Sequence, residues 1–219
     1  MTNKPEIRDS YLKVRSMLSQ SYLEECNKMI ARKVIFFIKR YNLKKIGIFI
    51  STNHEPETRD IIRHCIENGV EVYAPNCLRD TNEMDFRRIL DIDKDVTFNT
   101  ELNVYETNDQ AEKLRRATDL DALFMPLVAF DSKLARVGMG KSFYDSWIDN
   151  TNYQGYKIGL SQSTQLTSED IITEEHDQNM NFVITEKEVY VPMIEETEEE
   201  EFDYDVTYWR LNDETLEEE

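Results

Sequence analysis

Residues 45–75 read KIGIFISTNHEPETRDIIRHCIENGVEVYAP, and three patterns follow one another in that stretch. Lys45 to Ser51 is a short, dense apolar run, the mark of a strand covered on both faces. From Thr58 the apolar positions become Ile61, Ile62, Cys65 and Ile66, a helical period that Asn68-Gly69 stops. Val70 to Ala74 is a second strand, which Pro75 is expected to close. A strand, a crossover helix and another strand predict a parallel pair within a sheet that helices cover.

The same alternation extends in both directions. Upstream, residues 4–18 and 21–42 read as helices. In the second, Met29, Ile30, Val34, Ile35, Phe37 and Ile38 recur at helical spacing, with Ser19 or Ser21 as the cap. Downstream, Met84 to Leu90 reads as a strand and residues 110–117 as a short polar helix. Ala122 to Val128 is another buried strand, in which Pro126 must take an edge, a bulge or an end. Tyr156 to Ser161 and Phe182 to Thr185 complete the strands. The expected fold is α/β: three layers, with a mostly parallel central sheet flanked by helices, in one domain over residues 1–194.

The chain has 219 residues, 40% hydrophobic and 11% aromatic, which is enough for a core of that size. Its net charge of -18 is unevenly spread. Residues 195–219 hold 13 acids against one base, Arg210, and so carry about -12 of it. The rest is mildly acidic and offers no broad basic face for nucleic acid. Low hydrophobicity and high charge predict a disordered tail over 195–219. Phe202, Tyr204, Tyr208 and Trp209 interrupt its acids, so it reads as solubilising charge or as a docking segment for a protein partner. Cys26, Cys65 and Cys77 lack zinc-ligand spacing. Reduced thiols, no apolar leader in MTNKPEIRDS and no long apolar run predict a cytoplasmic protein without a membrane span.

Two of only six glycines fall in ARVGMGKSFYDSW, residues 135–147. A phosphate loop of the form GxxxxGK[ST] would end at Gly140-Lys141-Ser142, but its first glycine position holds Ala135, seven positions beyond Val128. A looser anion cradle fits the same residues. Glycines let backbone N–H groups approach a phosphate, Arg136 and Lys141 add charge, and a helix starting near Ser142 points its positive end there. Asp145 would then hold Mg²⁺. The plainer alternative is a turn whose glycines permit positive φ and whose bases are solvated.

The longer stretch Pro126-Leu-Val-Ala-Phe-Asp131, with Arg136-Val-Gly-Met-Gly-Lys-Ser-Phe-Tyr-Asp145, resembles the signature of the 5-formyltetrahydrofolate cyclo-ligase (methenyltetrahydrofolate synthetase) family, P-x-x-A-F-D-x-x-G-x-R-L-G-x-G-[GK]-G-Y-Y-D. Lys4-Pro-Glu-Ile-Arg8, Glu55-Pro-Glu-Thr58, Asn68-Gly69 through Pro75, Met84-Asp-Phe86, Gly159 with Gln165, and His176-Asp177 with Thr185-Glu186 resemble further family motifs in family order, over residues 4–186. Leu134, Ser142, Phe143, Ile172 and Asn181 depart from the pattern. Ser142 replaces a glycine comfortably at negative φ, whereas Leu134 fits poorly if its turn needs positive φ.

The resemblance implies ATP-dependent cyclisation of 5-formyltetrahydrofolate to 5,10-methenyltetrahydrofolate, with release of ADP and phosphate. It implies that Lys4, Arg8, Arg136, Gly138, Gly140, Lys141 and Ser142 bind ATP, that Asp145 and Asp177 hold Mg²⁺, and that Glu55, Met84 and Tyr144 bind the folate. Lys141, Arg136 and Tyr144 are the expected catalytic residues. Each has a plainer reading: Lys4 and Arg8 as a solvated helix face, Glu55 as loop polarity, Asp177 as a loop-ordering group, Met84 and Tyr144 as core. Two other functions stay open: a non-catalytic relative that binds nucleotide or folate as a sensor or scaffold, and a phosphate-loop kinase. A monomer or weak dimer is expected.

Overall fold

The computed structural model describes residues 3–192 except 53, 79, 80, 82 and 175. The segment 195–219 lies outside the described residues, and so does the expectation of disorder there.

Helix α1 (Lys4–Ser16) starts where the Asn3 side chain accepts from the Glu6 N–H at 3.0 Å, with Pro5 in the first turn. Helix α2 (Gln20–Arg40) is capped by Ser19, not Ser21. Strand β1 (Lys45–Ile48), helix α3 (Arg59–Glu67) and strand β2 (Glu71–Cys77) form the crossover unit expected from residues 45–75. They are followed by β3 (Met84–Ile89), the hairpin β4 (Val96–Asn99) and β5 (Val104–Thr107), β6 (Ala122–Pro126), the small pair β7 (Ala129–Phe130) and β8 (Arg136–Val137), helix α4 (Phe143–Thr151), β9 (Tyr156–Leu160), β10 (Phe182–Ile184) and β11 (Val189–Tyr190).

Seven strands make the central sheet in the order β11-β10-β9-β6-β1-β2-β3. Its interior pairs are parallel, and only the edges, β2 with β3 and β10 with β11, are antiparallel. Alternate residues of β6 face opposite cores. Ala122 and Phe124 join Ile30, Val34 and Phe37 of α2 and Ile61, Ile62 and Cys65 of α3. Leu123 and Met125 join Trp147 and Ile148 of α4. This two-sided burial is why the strand reads as an uninterrupted apolar run. Ile7 anchors α1 on Ala129, Val137 and Ile171 beside the second layer.

Several local expectations are corrected. Pro75 does not end β2, which continues to Cys77. The Phe86 C=O accepts from the Leu114 N–H at 2.7 Å, so the Phe86 backbone groups point away from β2 and its partner Pro75 turns its nitrogen away from β3. On the other side β1 is paired only as far as Gly47 with Tyr73, so no ladder bond is lost. Residues 110–117 are not a helix. Within them Glu112 to Leu114 run along the outer edge of β3, with Arg88 N–H donating to the Glu112 C=O at 2.8 Å, and Ala117 opens a single 3-10 turn (Ala117–Asp119). The β4–β5 hairpin escaped the sequence because each strand is four residues long and half-exposed. Pro126 stands at a strand end, one of the three positions open to it.

Candidate functional site

Strand β1 is flanked by β2 on one side and β6 on the other, so the chain reverses its winding between β1 and β6. Open α/β sheets form a crevice at the carboxyl ends of such strands. A cavity of about 520 Å³ lies there. Phe49 and Ile50 after β1, and Leu127 and Val128 after β6, line it. All twelve residues singled out from the sequence also line it, although they come from segments as far apart as Lys4 and Asp177.

One part of the wall is rich in charge. Lys4 is paired with Asp177, whose carboxylate also accepts from the Glu174 N–H at 2.5 Å. The next residue, Gln178, donates its N–H to Asp145 at 3.2 Å, and the same Asp145 oxygen takes Arg136 Nη2 at 2.8 Å. Burial alone would raise the Asp177 carboxyl, but the Glu174 N–H and the Lys4 ammonium outweigh it and hold it below the ordinary carboxylate range. Arg8 Nε donates to the Gly138 C=O at 2.6 Å. Gly140 has φ +83, a backbone that favours glycine, and a Cβ there would stand 3.1 Å from the Arg8 guanidinium carbon, so a side chain would also press on Arg8. Lys141 is exposed and forms no ion pair among the described residues.

The loop is not a Walker loop. It follows β8, a two-residue strand paired with β7 outside the central sheet. Nor is Ser142 at negative φ: it has φ +53 and its side chain makes no capping bond. Leu134 has φ +59, as its family position suggested, and is completely buried. Asp131 holds that turn, accepting from the Lys133 N–H at 3.0 Å and the Ala135 N–H at 2.9 Å. The second carboxylate oxygen ties the turn to the Ile171 N–H at 2.8 Å. Surroundings of this kind hold a residue in a strained conformation.

Another part of the wall is mostly apolar. Buried Met84 and half-buried Tyr144 line the cavity with Glu55, whose charge Tyr144 feels. One Glu55 oxygen is fixed by the Thr52 N–H and hydroxyl, both at 2.8 Å. Burial, with help from the Glu55 charge, raises the Tyr144 hydroxyl far above its ordinary value, so it remains a neutral donor. The Arg136 guanidinium lies 6.0 Å from the Tyr144 ring and joins the two regions.

Sequence reasoning missed several contributors. Arg15 lines the cavity from α1, and its signal was present: eleven residues beyond Lys4 and seven beyond Arg8, it falls on the same helical face. Phe98 and Tyr105 line it from the hairpin, their rings 4.9 Å apart. Thr52 does so beside Glu55.

Among the described residues, no three His, Cys, Asp or Glu side chains cluster to form a metal cage. Asp145 bonds through Oδ1 and Asp177 through Oδ2, and the other oxygen of each has no hydrogen-bond donor among the described residues. Two carboxylates beside cationic groups suit a cation that arrives with phosphate, because Mg²⁺ commonly takes one or two carboxylates and completes its shell from phosphates and water. No helix among the described residues is long and apolar enough to cross a membrane.

A sequence model of the 5-formyltetrahydrofolate cyclo-ligase family matches residues 1–186. The chain is 26% identical to 5-formyltetrahydrofolate cyclo-ligase of Mus musculus over 181 residues, 80% of this chain and 88% of that protein. It is 27% identical to the enzyme of the same name from Haemophilus influenzae over 176 residues, 80% of this chain and 92% of that one. Among solved structures, the 5,10-methenyltetrahydrofolate synthetase of Aquifex aeolicus superposes with a TM-score of 0.75 at 21% identity, covering 92% of this chain and 98% of that one. That of Mycoplasma pneumoniae gives 0.69 at 20% identity, covering 84% and 99%. At such identities the superpositions establish the shared fold.

Proposed function

The chain belongs to the 5-formyltetrahydrofolate cyclo-ligase family, and from that premise we propose that its cavity converts 5-formyltetrahydrofolate and ATP to 5,10-methenyltetrahydrofolate, ADP and phosphate. The observation that carries this reading is the convergence of all twelve residues on one cavity at the β1–β6 reversal, with cationic groups and an apolar wall around the same space.

The chemistry needs no protein nucleophile. The formyl oxygen attacks the γ-phosphorus, forming a C–O–P link as the bond to the ADP oxygen breaks. N10 then adds to the formyl carbon and loses its proton, and the phosphate departs with the former formyl oxygen. The protein must align three atoms and stabilise charge on phosphate oxygens. Lys4, Arg8, Arg136 and Lys141 neutralise the triphosphate. Gly138, Gly140 and Ser142 present backbone to it, and the start of α4 points a positive end at it. Mg²⁺, held by Asp145 and Asp177, would supply further neutralisation of phosphate charge. Glu55 hydrogen-bonds the folate near its reacting end. Met84 and Tyr144 wall the pterin, and the neutral Tyr144 hydroxyl and the Arg136 guanidinium lie beside the reacting groups.

The alternative, a relative that binds without catalysis, rests on Leu134, Ser142 and the acidic tail. Both residues hold the left-handed backbone a glycine would take, so the loop path survives the substitutions and this alternative loses its main support. We further read the chain as cytoplasmic, which its three free thiols favour, and as acting as a monomer or weak dimer, since one chain supplies every proposed contact. Residues 1–194 are read as the catalytic domain, and the acidic segment 195–219 as an appendage available to a protein partner. Incubation with 5-formyltetrahydrofolate and MgATP tests the central reading: methenyl absorbance should rise in step with ADP. Binding of both ligands without turnover would establish the non-catalytic alternative.

A further inference from the structure

We propose that Arg15 orients the folate by donating to the 4-oxo oxygen of its pterin ring, beside Glu55. The inference rests on the cyclo-ligase reading and gives work to a cation that neither the phosphate contacts nor the fold requires. Arg15 is only 6% exposed, yet it lines the cavity. Its side chain's single hydrogen bond among the described residues runs from Nη1 to the Leu127 C=O at 3.5 Å, the limit of such a bond, and it has no ion pair there. A guanidinium carries five N–H donors in a planar fork and stays charged in proteins. Burial lowers its basicity, and the Glu55 charge offsets part of that loss. A buried cation with unused donors calls for an acceptor in the space it faces.

Position and charge decide which acceptor. Arg15 lies seven residues beyond Arg8, about 10 Å along the helix axis, and about 16 Å beyond Lys4. It is therefore displaced along α1 from Lys4 and Arg8, the two triphosphate contacts that helix supplies. The neighbouring Glu55 charge disfavours a second carboxylate or a phosphate at this point, so the acceptor is a neutral carbonyl. The formyl oxygen is unsuitable, because a cation on it would blunt the nucleophile. The pterin lactam fits. Its N3–H donor and C4=O acceptor are adjacent, and the 4-oxo group lies next to N5, which bears the formyl group. Glu55 Oε1 makes no hydrogen bond among the described residues and takes the N3–H, while Arg15 takes O4. Fixing this edge fixes the formyl oxygen relative to the phosphates.

The test compares dissociation constants for 5-formyltetrahydrofolate and for the matched compound with a 4-amino group in place of the 4-oxo oxygen, together with ATP affinity and melting temperature. The wild-type protein should prefer the 4-oxo compound by about 10- to 100-fold, the range for a hydrogen bond to a charged group. Arg15→Met should weaken the 4-oxo compound by about 10-fold or more. Binding of the 4-amino compound should hold or improve, and ATP affinity should not change. Equal weakening of both folates, an unchanged ratio, or a loss confined to ATP would overturn the inference. If Arg15→Met does not fold, the wild-type ratio decides alone: equal binding of the two compounds refutes the assignment. Wild-type turnover with an unaltered ratio in Arg15→Met removes only the Arg15 role. Absence of both turnover and folate binding in the wild type removes the cyclo-ligase reading and this inference with it.

Discussion

Leu134 and Ser142 share a left-handed backbone but should respond to glycine with opposite signs. An L-residue in that region costs about 1–2 kcal/mol, which glycine relieves. Glycine gives back about 0.4–1 kcal/mol through the greater freedom of the unfolded chain. Ser142 is exposed and makes no capping bond, so little else is lost. Ser142→Gly should therefore stabilise by about 0.5–1 kcal/mol. That corresponds to a melting-temperature rise of about 1–4 °C for a protein of this size.

Leu134 is fully buried in the layer that holds Phe130 and Trp147. Removing its side chain forfeits at least the 2.7–5 kcal/mol or so of a leucine-to-alanine cavity. Leu134→Gly should lower stability by about 2–4 kcal/mol after the backbone relief. Alanine at each position isolates the backbone contribution, because it keeps a Cβ at positive φ. Glycine should exceed alanine by several tenths of a kcal/mol or more at both sites. Thermal and urea unfolding without nucleotide, followed by circular dichroism, measure all four variants. The reasoning fails if Ser142→Gly lowers the melting temperature, if Leu134→Gly raises it, or if alanine is the more stable choice at either site.

Lys141→Ala should leave the melting temperature unchanged, because the side chain is exposed and unpaired among the described residues. Turnover should fall by roughly 30- to 900-fold, the equivalent of about 2–4 kcal/mol of lost transition-state stabilisation, and a wild-type rate would exclude it from the phosphate contacts. Glu55→Gln should weaken folate and spare ATP; separate titrations check this, and equal losses would count against the assignment. Glu186 binds the Tyr22 hydroxyl and the Ser163 N–H, each at 2.8 Å, and although burial works against it these bonds, led by Ser163, hold its carboxyl below the ordinary 4.5. Its folded pKa is depressed, so its stabilisation is present above pH 4.5 and disappears as pH falls through the lower folded value. Melting curves of Glu186→Gln should thus lie below wild type at neutral pH by the effect of about 1–3 kcal/mol, with the gap closing in acid. Removal of residues 195–219 should leave turnover and melting temperature nearly unchanged; a large drop in melting would show that Tyr204, Tyr208 or Trp209 docks on the domain.

Local pattern alone determined the fold class of this protein. The run at Lys45, the helical period through Ile61 and Cys65, and the restart at Val70 specify a parallel crossover, because only strands buried on both faces are apolar at every position. The ordered motifs around Arg136, Glu55 and Lys4 likewise pointed to one site before its residues were seen together. Where side chains meet was decided by the tertiary structure. Pro75 sits inside a strand because its nitrogen faces a position where β1 no longer pairs, and Glu112 to Leu114 lie along β3 because its edge offers them backbone partners. The positive φ of Ser142 follows from how the loop joins β8 to α4, which no neighbouring residue announces. Arg15 was legible as a position on a helix face, but its value as a buried, under-bonded cation arises only where α1 meets the segment that follows β6. Periodicity is encoded locally, whereas burial and pairing depend on the approach of segments more than a hundred residues apart, such as Arg8 and Gly138.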